Sequence, residues 1–120
     1  VVVGAEVNCS WLSFWAQTMD QCFDNPFYRA TGGVRIDTRP SETLGRNLFV
    51  TVLDDDLGFR MITTGLAPEL ADCSMFSTDY PHSVCLWPNS QDHVARLTDG
   101  MRDEDRHKVL AGNAERVYGL

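Results

Sequence analysis

The sequence predicts an α/β fold built from parallel strand–helix units, and two observations support this. Three short apolar runs, VVVGA, NLFVTVL and CSMFSTD, begin at Val1, Asn47 and Cys73. Near-continuous apolar strands of about five to seven residues are typical of a parallel sheet covered on both faces. Helical patterns separate these runs, and alternation of strand with helix implies right-handed crossovers between parallel strands.

The first helix is predicted between the first two apolar runs and should end at Pro26. Its apolar residues recur at helical spacing and form one stripe: Trp11, Phe14, Trp15, Thr18, Met19 and Cys22. We interpret the three aromatic residues of this stripe as facing the core. The second strand should begin about 46 residues after the first, so the segment from Asp24 to Arg46 is predicted to be a long loop.

A second helix is predicted from Asp55 or Asp56 to about Thr64, with Gly65 as its terminator. The run of three acids at 54–56 fits a solvated helix start, where the helix dipole favours negative charge. This interpretation is preferred over a metal site. The third strand begins about 26 residues after the second, close to the length of one strand–helix unit of a barrel.

Two more helices are predicted after the third strand. One follows Pro88, is capped by Asn89 or Ser90, and ends at Gly100. Another begins near Asp103 and should break around residues 112–113, where Asn113 would cap a last turn. A sheet of three strands has two open edges and a poor core of its own, so we expect one α/β domain over residues 1–120 that is part of a larger structure.

Composition excludes several classes of protein. The chain has 120 residues, 43% of them hydrophobic, which is typical of globular proteins and not of disordered ones. Seventeen acids against ten basic residues give a net charge of −7, and the arginines are scattered singly. Nucleic-acid binding needs clustered positive charge, so we expect no nucleic-acid partner. Since no apolar run approaches the ~20 residues of a membrane helix, we also expect no membrane partner.

The four cysteines indicate a cytoplasmic protein with reduced thiols. Cys9, Cys22, Cys73 and Cys85 could pair in three ways, but they form no C-x-x-C pair and match no zinc-finger spacing. We interpret them as small apolar residues packed in the interior.

Four stretches together resemble one family, the amidohydrolase-2 group of metal-dependent (β/α)8 TIM-barrel hydrolases and decarboxylases. These stretches are residues 39–42 leading into 46–51, FSTDYPH at 76–82, WPNS at 87–90, and the C-terminal 108–120. FSTDYPH resembles the end of the eighth strand of that family, and residues 1–21 resemble its sixth strand and helix. The resemblance therefore implies strands 6–8 of a barrel, a C-terminal partial barrel.

The resemblance implies a divalent metal, usually zinc, at the carboxyl ends of the barrel strands. In the family an H-x-H pair on strand one, a His on strand five and an Asp on strand eight hold it, and Asp79 matches that Asp. Read from the residues alone, Asp79 ends an apolar strand, where barrel chemistry is found, and its carboxylate could ligate a metal or accept a proton. An Asp in a turn before Tyr-Pro is the structural alternative.

The sequence departs from the family pattern in its metal ligands. It contains no H-x-H, and its histidines are His82, His93 and His107, of which the last two fall on predicted surface helices. One carboxylate and one His do not complete a zinc site, so we expect the site to be incomplete in this chain alone. Where decarboxylating members carry a catalytic His near the end of strand six, the nearest ionisable residue here is Glu6.

The candidate site residues are therefore three. Asp79 is the candidate metal ligand and catalytic proton acceptor, Glu6 a second catalytic carboxylate, and His82 a substrate-binding residue. Each has a structural alternative: a turn for Asp79, a cap or ion pair for Glu6, and a hydrogen-bonded structural role for His82. Arg39 and Glu42 are expected to organise the long loop as an ion pair.

Two functions remain open at this point. The first is metal-dependent hydrolysis or decarboxylation of a small organic substrate. The second is a non-catalytic, free-standing fragment protein that forms a homodimer or higher homo-oligomer through its exposed sheet edges.

Overall fold

A parallel sheet lies at the centre of the structure, a computed structural model that describes residues 1–33 and 36–120. Its strands are β1 (Val2–Gly4), β2 (Leu48–Val52) and β3 (Ser74–Phe76), and within the described residues they form one sheet in that order. Both pairs are parallel. The predicted α/β class with parallel strand–helix units is confirmed.

Helices follow each strand. They are α1 (Ser10–Asp24), α2 (Pro26–Ala30), α3 (Asp56–Thr63), α4 (Leu70–Cys73), α5 (Ser90–Leu97), α6 (Asp103–His107) and α7 (Asn113–Tyr118), with a 3₁₀ turn at Pro40–Thr43 and a π turn at Lys108–Gly112. In the part of the chain described by the structure, no helix is both long and apolar enough to cross a membrane.

The strands are shorter than the apolar runs that predicted them. β3 stops at Phe76, three residues before the end of its run, although the Ser77 N–H still donates to the Val52 carbonyl at 2.8 Å. β2 and β3 begin at Leu48 and Ser74, which keeps the predicted spacing of one strand–helix unit. Val1, Asn47 and Cys73 precede the strands, and the residues of each run that follow its strand form the loops at the carboxyl end of the sheet.

The buried face of α1 differs from the predicted one. Leu12 and Ala16 are buried, whereas the side chains of Trp11 and Phe14 are 44% and 74% exposed, and Trp15 is only partly buried. The prediction that these aromatic residues face the core is therefore wrong for Trp11 and Phe14, whereas Trp15 does pack against the buried core. The reason is an anchor from a distant segment, since a carboxylate from the β2–α3 connection binds the first backbone N–H groups of α1 and sets how the helix is rotated.

The C-terminal helices form one continuous rod, so the predicted break at residues 112–113 is also wrong. Gly112 and Asn113 both have helical backbone angles, and the π turn joins α6 to α7. The side chain of Asn113 does not cap a helix. It is buried and donates to the carbonyls of Ala71 and Ser74, both at 2.7 Å, which fixes the rod against β3.

The long loop is held to α1 by an arginine, although not through the expected pair. Arg39 binds Asp24 at 2.7 Å and Asp20 at 3.3 Å, and Asp20 also accepts from the Ser41 N–H. The expected ion pair between Arg39 and Glu42 is therefore replaced. Asp24 accepts from Arg39 through both of its carboxylate oxygens, and Asp20 adds a second contact from the same helix. Such a bidentate contact is stronger than a single ion pair with Glu42 would be.

The core lies between the sheet and the surrounding helices. Its fully buried members include Cys9, Leu12, Val50, Val52, Phe59, Leu70, Cys73 and Val109.

All four cysteines are free thiols, as expected. Burial raises the pKa of the Cys9 and Cys73 thiols to about 12, so both stay protonated and pack as apolar groups.

Candidate active site

The candidate site lies at the carboxyl end of the sheet. Glu6 follows β1, and Asp79 follows β3. Parallel strands end at the same edge of a sheet, and in α/β proteins this is the edge where ligands bind. The chain therefore brings two carboxylates from segments 73 residues apart to one rim.

Glu6 is positioned by contacts between the end of β1 and β2. Its backbone N–H donates to the Thr51 hydroxyl at 2.7 Å. Asn8 then donates its N–H to the Thr51 carbonyl at 3.2 Å and accepts from the Leu53 N–H through its side chain at 3.1 Å. These bonds hold the end of β1 in a conformation that would otherwise be unfavourable, since Glu6 and Asn8 have φ values of 58° and 59°.

Asp79 also has a left-handed backbone, with φ of 56°. Its N–H donates to the Ser77 hydroxyl at 3.3 Å, and its carbonyl accepts from the His82 N–H at 2.9 Å. A bond from the Leu86 N–H to the Thr78 carbonyl, at 2.9 Å, closes the loop that carries both residues. Non-glycine residues with positive φ are uncommon and concentrate at functional sites, and here two of them carry candidate site side chains.

The loop brings His82 onto Asp79. Their Nδ1 and Oδ1 atoms lie 3.1 Å apart, with the Asp79 side chain 8% exposed and that of His82 63% exposed. A nearly buried carboxylate thus contacts an imidazole whose other edge faces solvent. This arrangement lets the imidazole reach both the carboxylate and a molecule arriving from outside.

Glu6, Asp79 and His82 each offer one ligand atom, and these three atoms lie within 4.8 Å of one another. Ligand atoms around a tetrahedral zinc ion are about 3.4 Å apart when the bonds are about 2.1 Å long. The Asp79 and His82 atoms lie 3.1 Å apart, slightly closer than that spacing, so a small separation of this pair and rotation of the exposed Glu6 side chain would bring the set to metal distance. Two carboxylates and an imidazole are a donor set that suits zinc or another divalent cation.

Three protein ligands with solvent on one side would leave a coordination position open. Catalytic metal sites differ from structural ones in this respect, since the open position receives water or substrate. The residues present therefore fit a divalent metal, and they fit a reactive site better than a closed structural one.

The comparison with protein families agrees with the sequence resemblance over the second part of the chain. Residues 70–120 match the amidohydrolase family model. The C-terminal part of the chain is therefore similar to the amidohydrolases. The match includes Asp79, His82 and the C-terminal rod but stops short of Glu6. No curated protein matches the chain.

The other predicted histidines lie outside this cluster. His93 is on α5, where its Nδ1 is 3.8 Å from an oxygen of Asp54, and His107 is exposed at the end of α6. The run of acids at 54–56 forms a helix start, as predicted, because Asp55 caps α3. The run is not solvated as expected, since Asp55 is buried and Arg96 binds the carboxylates on either side of it. Neither group adds a ligand to the cluster.

Sequence reasoning missed the residues that support the site. Thr51, Asn8 and Ser77 hold the backbone at Glu6 and Asp79, yet none of them stands out in the sequence. The available signal was the position of Thr51 as the polar residue inside an apolar strand. A hydroxyl there can bind a backbone group of the neighbouring strand.

Proposed function

We propose that this chain is the part of an amidohydrolase that contains strands six to eight of its barrel, and that it contributes to metal-dependent hydrolysis of a small organic substrate. The observation that carries the proposal is the meeting of Glu6, Asp79 and His82 within 4.8 Å at the carboxyl end of the sheet. The amidohydrolase match over residues 70–120 supports it for two of the three residues. Decarboxylation is less well supported, since a carboxylate, Glu6, stands where decarboxylating members carry a histidine.

Each residue has a distinct role in this proposal. When bound, a divalent metal such as zinc supplies a Lewis acid at the rim of the sheet. Asp79 serves as metal ligand and as proton acceptor, because only one of its oxygens is engaged by His82. Glu6 and His82 provide the other two ligand atoms of the cluster. Glu6 can also take part in proton transfer, and the solvent-facing edge of the His82 ring is the part that contacts the substrate.

The sequence lacks the H-x-H pair of the family, and within the described residues the cluster has three members. The proposal therefore expects metal binding that is weaker than that of a complete four-ligand shell. Further donors would have to come from water, substrate or another polypeptide segment.

Zinc titration tests the proposal. After chelator treatment, calorimetry should show about one zinc ion bound per chain, with binding weakened at least about tenfold in Asp79→Asn and Glu6→Gln. Two matched controls change exposed acids elsewhere: Asp99→Asn in the loop between α5 and α6, and Glu115→Gln on α7. Both should bind zinc like the unmodified chain. Absence of zinc binding, or equal binding by all five proteins, would contradict the proposal.

Hydrolysis gives a second readout. The zinc-loaded chain should cleave a simple activated ester such as 4-nitrophenyl acetate faster than the same concentration of free zinc. Asp79→Asn should lose this excess rate while Asp99→Asn keeps it. An equal rate in both variants would show that the cluster does not carry the chemistry.

A second candidate function, non-catalytic assembly, is favoured by a different observation. Within the described residues β1 and β3 each pair on one side only, and β1 leaves Val1 and Val2 79% and 65% exposed. The radius of gyration is 15.7 Å, against roughly 13.6 Å for a compact domain of this length. Unpaired strand edges and exposed apolar residues favour association with another copy.

Light scattering tests assembly directly. A homodimer or larger oligomer at micromolar concentration is expected, and Val2→Lys should dissociate it by placing a charge on the open edge. Glu115→Gln changes the charge on α7 by the same one unit and should leave the assembly intact. A stable monomer would contradict this second proposal without affecting the first.

A further inference from the structure

A second cleft lies at the opposite end of the sheet from the candidate active site. It has a volume of about 320 Å³ and is lined by Val1, Gly45, Arg46, Phe49, Arg116 and Val117. Its residues come from the segments that precede β1 and β2, from β2 itself and from α7. Clefts that bind small ligands begin at about this size, roughly 300 Å³.

The cleft is positively charged in an acidic protein. Two of its six lining residues are arginines and none is acidic, although the chain as a whole carries a net charge of −7. Four other basic side chains form ion pairs with carboxylates: Arg39, Arg96, Arg102 and Lys108. In the part of the chain that the structure describes, neither Arg46 nor Arg116 has a carboxylate within ion-pair distance.

Arg116 is held in place by neutral groups. One of its terminal nitrogens donates to the Asp72 carbonyl at 2.9 Å and to the Asn113 side-chain oxygen at 3.3 Å. Its guanidinium lies over the Phe49 ring, 5.0 Å from the centroid. The carboxylate of Asp72 pairs with the Lys108 ammonium at 2.9 Å, so it does not neutralise this arginine. The guanidinium is therefore fixed before any ligand arrives, and it keeps its charge and other donors available.

The backbone beside Arg46 is shaped by a glycine. Gly45 has φ of 69°, and a Cβ atom there would lie 2.7 Å from the Asp72 carbonyl oxygen. Its N–H donates to the Leu48 carbonyl at 3.1 Å, which forms the tight turn into β2. Arg46, the next residue, lines the cleft together with Arg116 from α7.

We infer that this cleft binds a phosphate group, with Arg46 and Arg116 as its two cationic contacts. Guanidinium groups match oxyanions through paired N–H donors, and such charge-assisted bonds are stronger than neutral ones. Two positive charges without a lining acid favour a dianion over a monoanion, which selects phosphate over a single carboxylate. The inference does not depend on the proposed hydrolytic function, because the two sites lie at opposite ends of the sheet.

Calorimetric titration with inorganic phosphate at pH 7.5, at constant ionic strength maintained with chloride, tests the inference. The unmodified chain should bind one phosphate. Arg46→Gln should weaken binding at least about tenfold, the loss expected when one charged hydrogen-bond partner is removed. Arg106→Gln, on the exposed surface of α6, is the matched control and should bind normally.

Arg116→Gln should weaken phosphate binding to a similar extent, and circular dichroism would establish that it is folded. If Arg116→Gln unfolds, Arg46→Gln still tests the inference. Within the described residues the Arg46 side chain makes no hydrogen bond or ion pair, so its removal should leave the fold intact. Phenyl phosphate as a second probe separates two sources: tighter binding than phosphate indicates a phosphomonoester site, and weaker binding a site for the free ion. Equal acetate and phosphate affinity, no phosphate binding, or equal binding by Arg46→Gln and Arg106→Gln would overturn the inference.

Discussion

The carboxylate of Asp55 accepts a hydrogen bond from the backbone N–H of Cys9, 46 residues earlier in the chain, at 2.8 Å. The same carboxylate accepts from the Ser10 N–H at 2.8 Å and from the Gly58 N–H at 2.9 Å. Asp55 is only 6% exposed. One buried side chain therefore caps α3 and holds the start of α1, which joins two successive strand–helix units.

Replacing this carboxylate should destabilise the whole fold. Asp55→Ala leaves three backbone donors without their charged acceptor, two of them at the start of a different helix, and should lower the free energy of unfolding by about 3 kcal/mol. Urea denaturation measures the change. Asp92→Ala removes an exposed acid from the first turn of α5 and should cost less than about 0.5 kcal/mol. A loss no larger than that of Asp92→Ala would show that the bridge contributes little.

The same residue predicts how stability depends on pH. Burial alone would raise the pKa of Asp55, but the N–H donors of Gly58, Cys9 and Ser10 outweigh burial and hold the pKa below its ordinary value. The native carboxylate is then harder to protonate than the unfolded one. Its contribution is complete above the unfolded pKa of about 3.9 and disappears as the pH falls through the lower native pKa.

Comparison of the unmodified chain with Asp55→Asn across pH isolates this effect. The difference in unfolding free energy should be constant from pH 7 to about 5 and should shrink below about pH 4. Asp20 has a lowered pKa as well, because hydrogen bonds from Ser41 and Arg39 outweigh its burial, so some acid sensitivity should remain in the variant. A difference that stays constant down to pH 3 would be inconsistent with a lowered pKa at Asp55.

Asn113 should tolerate neither truncation nor an isosteric change. It is 2% exposed, and its amide nitrogen serves two buried carbonyls, so Asn113→Ala should cost about 3 kcal/mol. Asn113→Asp should cost at least as much at pH 7, since a carboxylate would face the Ala71 and Ser74 carbonyl oxygens. Its loss should diminish at low pH, because the protonated acid can donate. Urea denaturation of both variants at pH 7 and pH 4 measures these losses, with Asn89→Asp at an exposed position as the control. A small loss of unfolding free energy in Asn113→Asp at pH 7 would argue against the inward orientation of this side chain.

The left-handed backbone at Glu6 should lower the stability of the fold, while the Glu6 carboxylate contributes to the candidate metal site. Glu6→Gly and Glu6→Ala both remove the carboxylate, but only glycine removes the side-chain penalty at φ of 58°. Glu6→Gly should therefore be more stable than Glu6→Ala by about 1 kcal/mol, and both should bind zinc poorly. Thermal denaturation with and without zinc measures both properties.

The matched comparison is at Glu115, inside α7. There glycine should be less stable than alanine by about 1 kcal/mol, since the backbone is helical. The order of the two substitutions should thus reverse between residues 6 and 115. The same order at both positions would mean that the backbone at Glu6 carries no penalty.

Much of the fold followed from local pattern. The apolar runs located all three strands because a strand covered on both faces must be apolar along its length. Asp55 and Gly65 marked the ends of α3 through the chemistry of helix caps. The break expected at residues 112–113 was wrong because the amide of Asn113 is used by carbonyls about 40 residues away, which local sequence does not reveal.

The candidate site was predictable in part. Asp79 was identified by its resemblance to a family motif and by its place after an apolar strand, and His82 by its place three residues later. That Glu6 meets them depends on the bond of its N–H to the Thr51 hydroxyl and on its left-handed backbone. Its assignment as a site residue stays a prediction until metal binding is measured.

The amino-acid sequence by itself determined where the three strands and the helices α1, α3 and α5 lie, and that the strands run parallel, because these depend on periodicity and on capping residues within a few positions. It did not indicate α2, which lies in the segment predicted to be a loop, or α4. The tertiary structure alone decided which side of α1 is buried and which side chains meet at the rim. The reason is physical: α1 carries apolar residues on more than one side, so its pattern permits several rotations. The carboxylate of Asp55, bound to the first turn from 45 residues away, and the packing of Leu12 and Ala16 in the core together select the rotation that leaves Phe14 exposed.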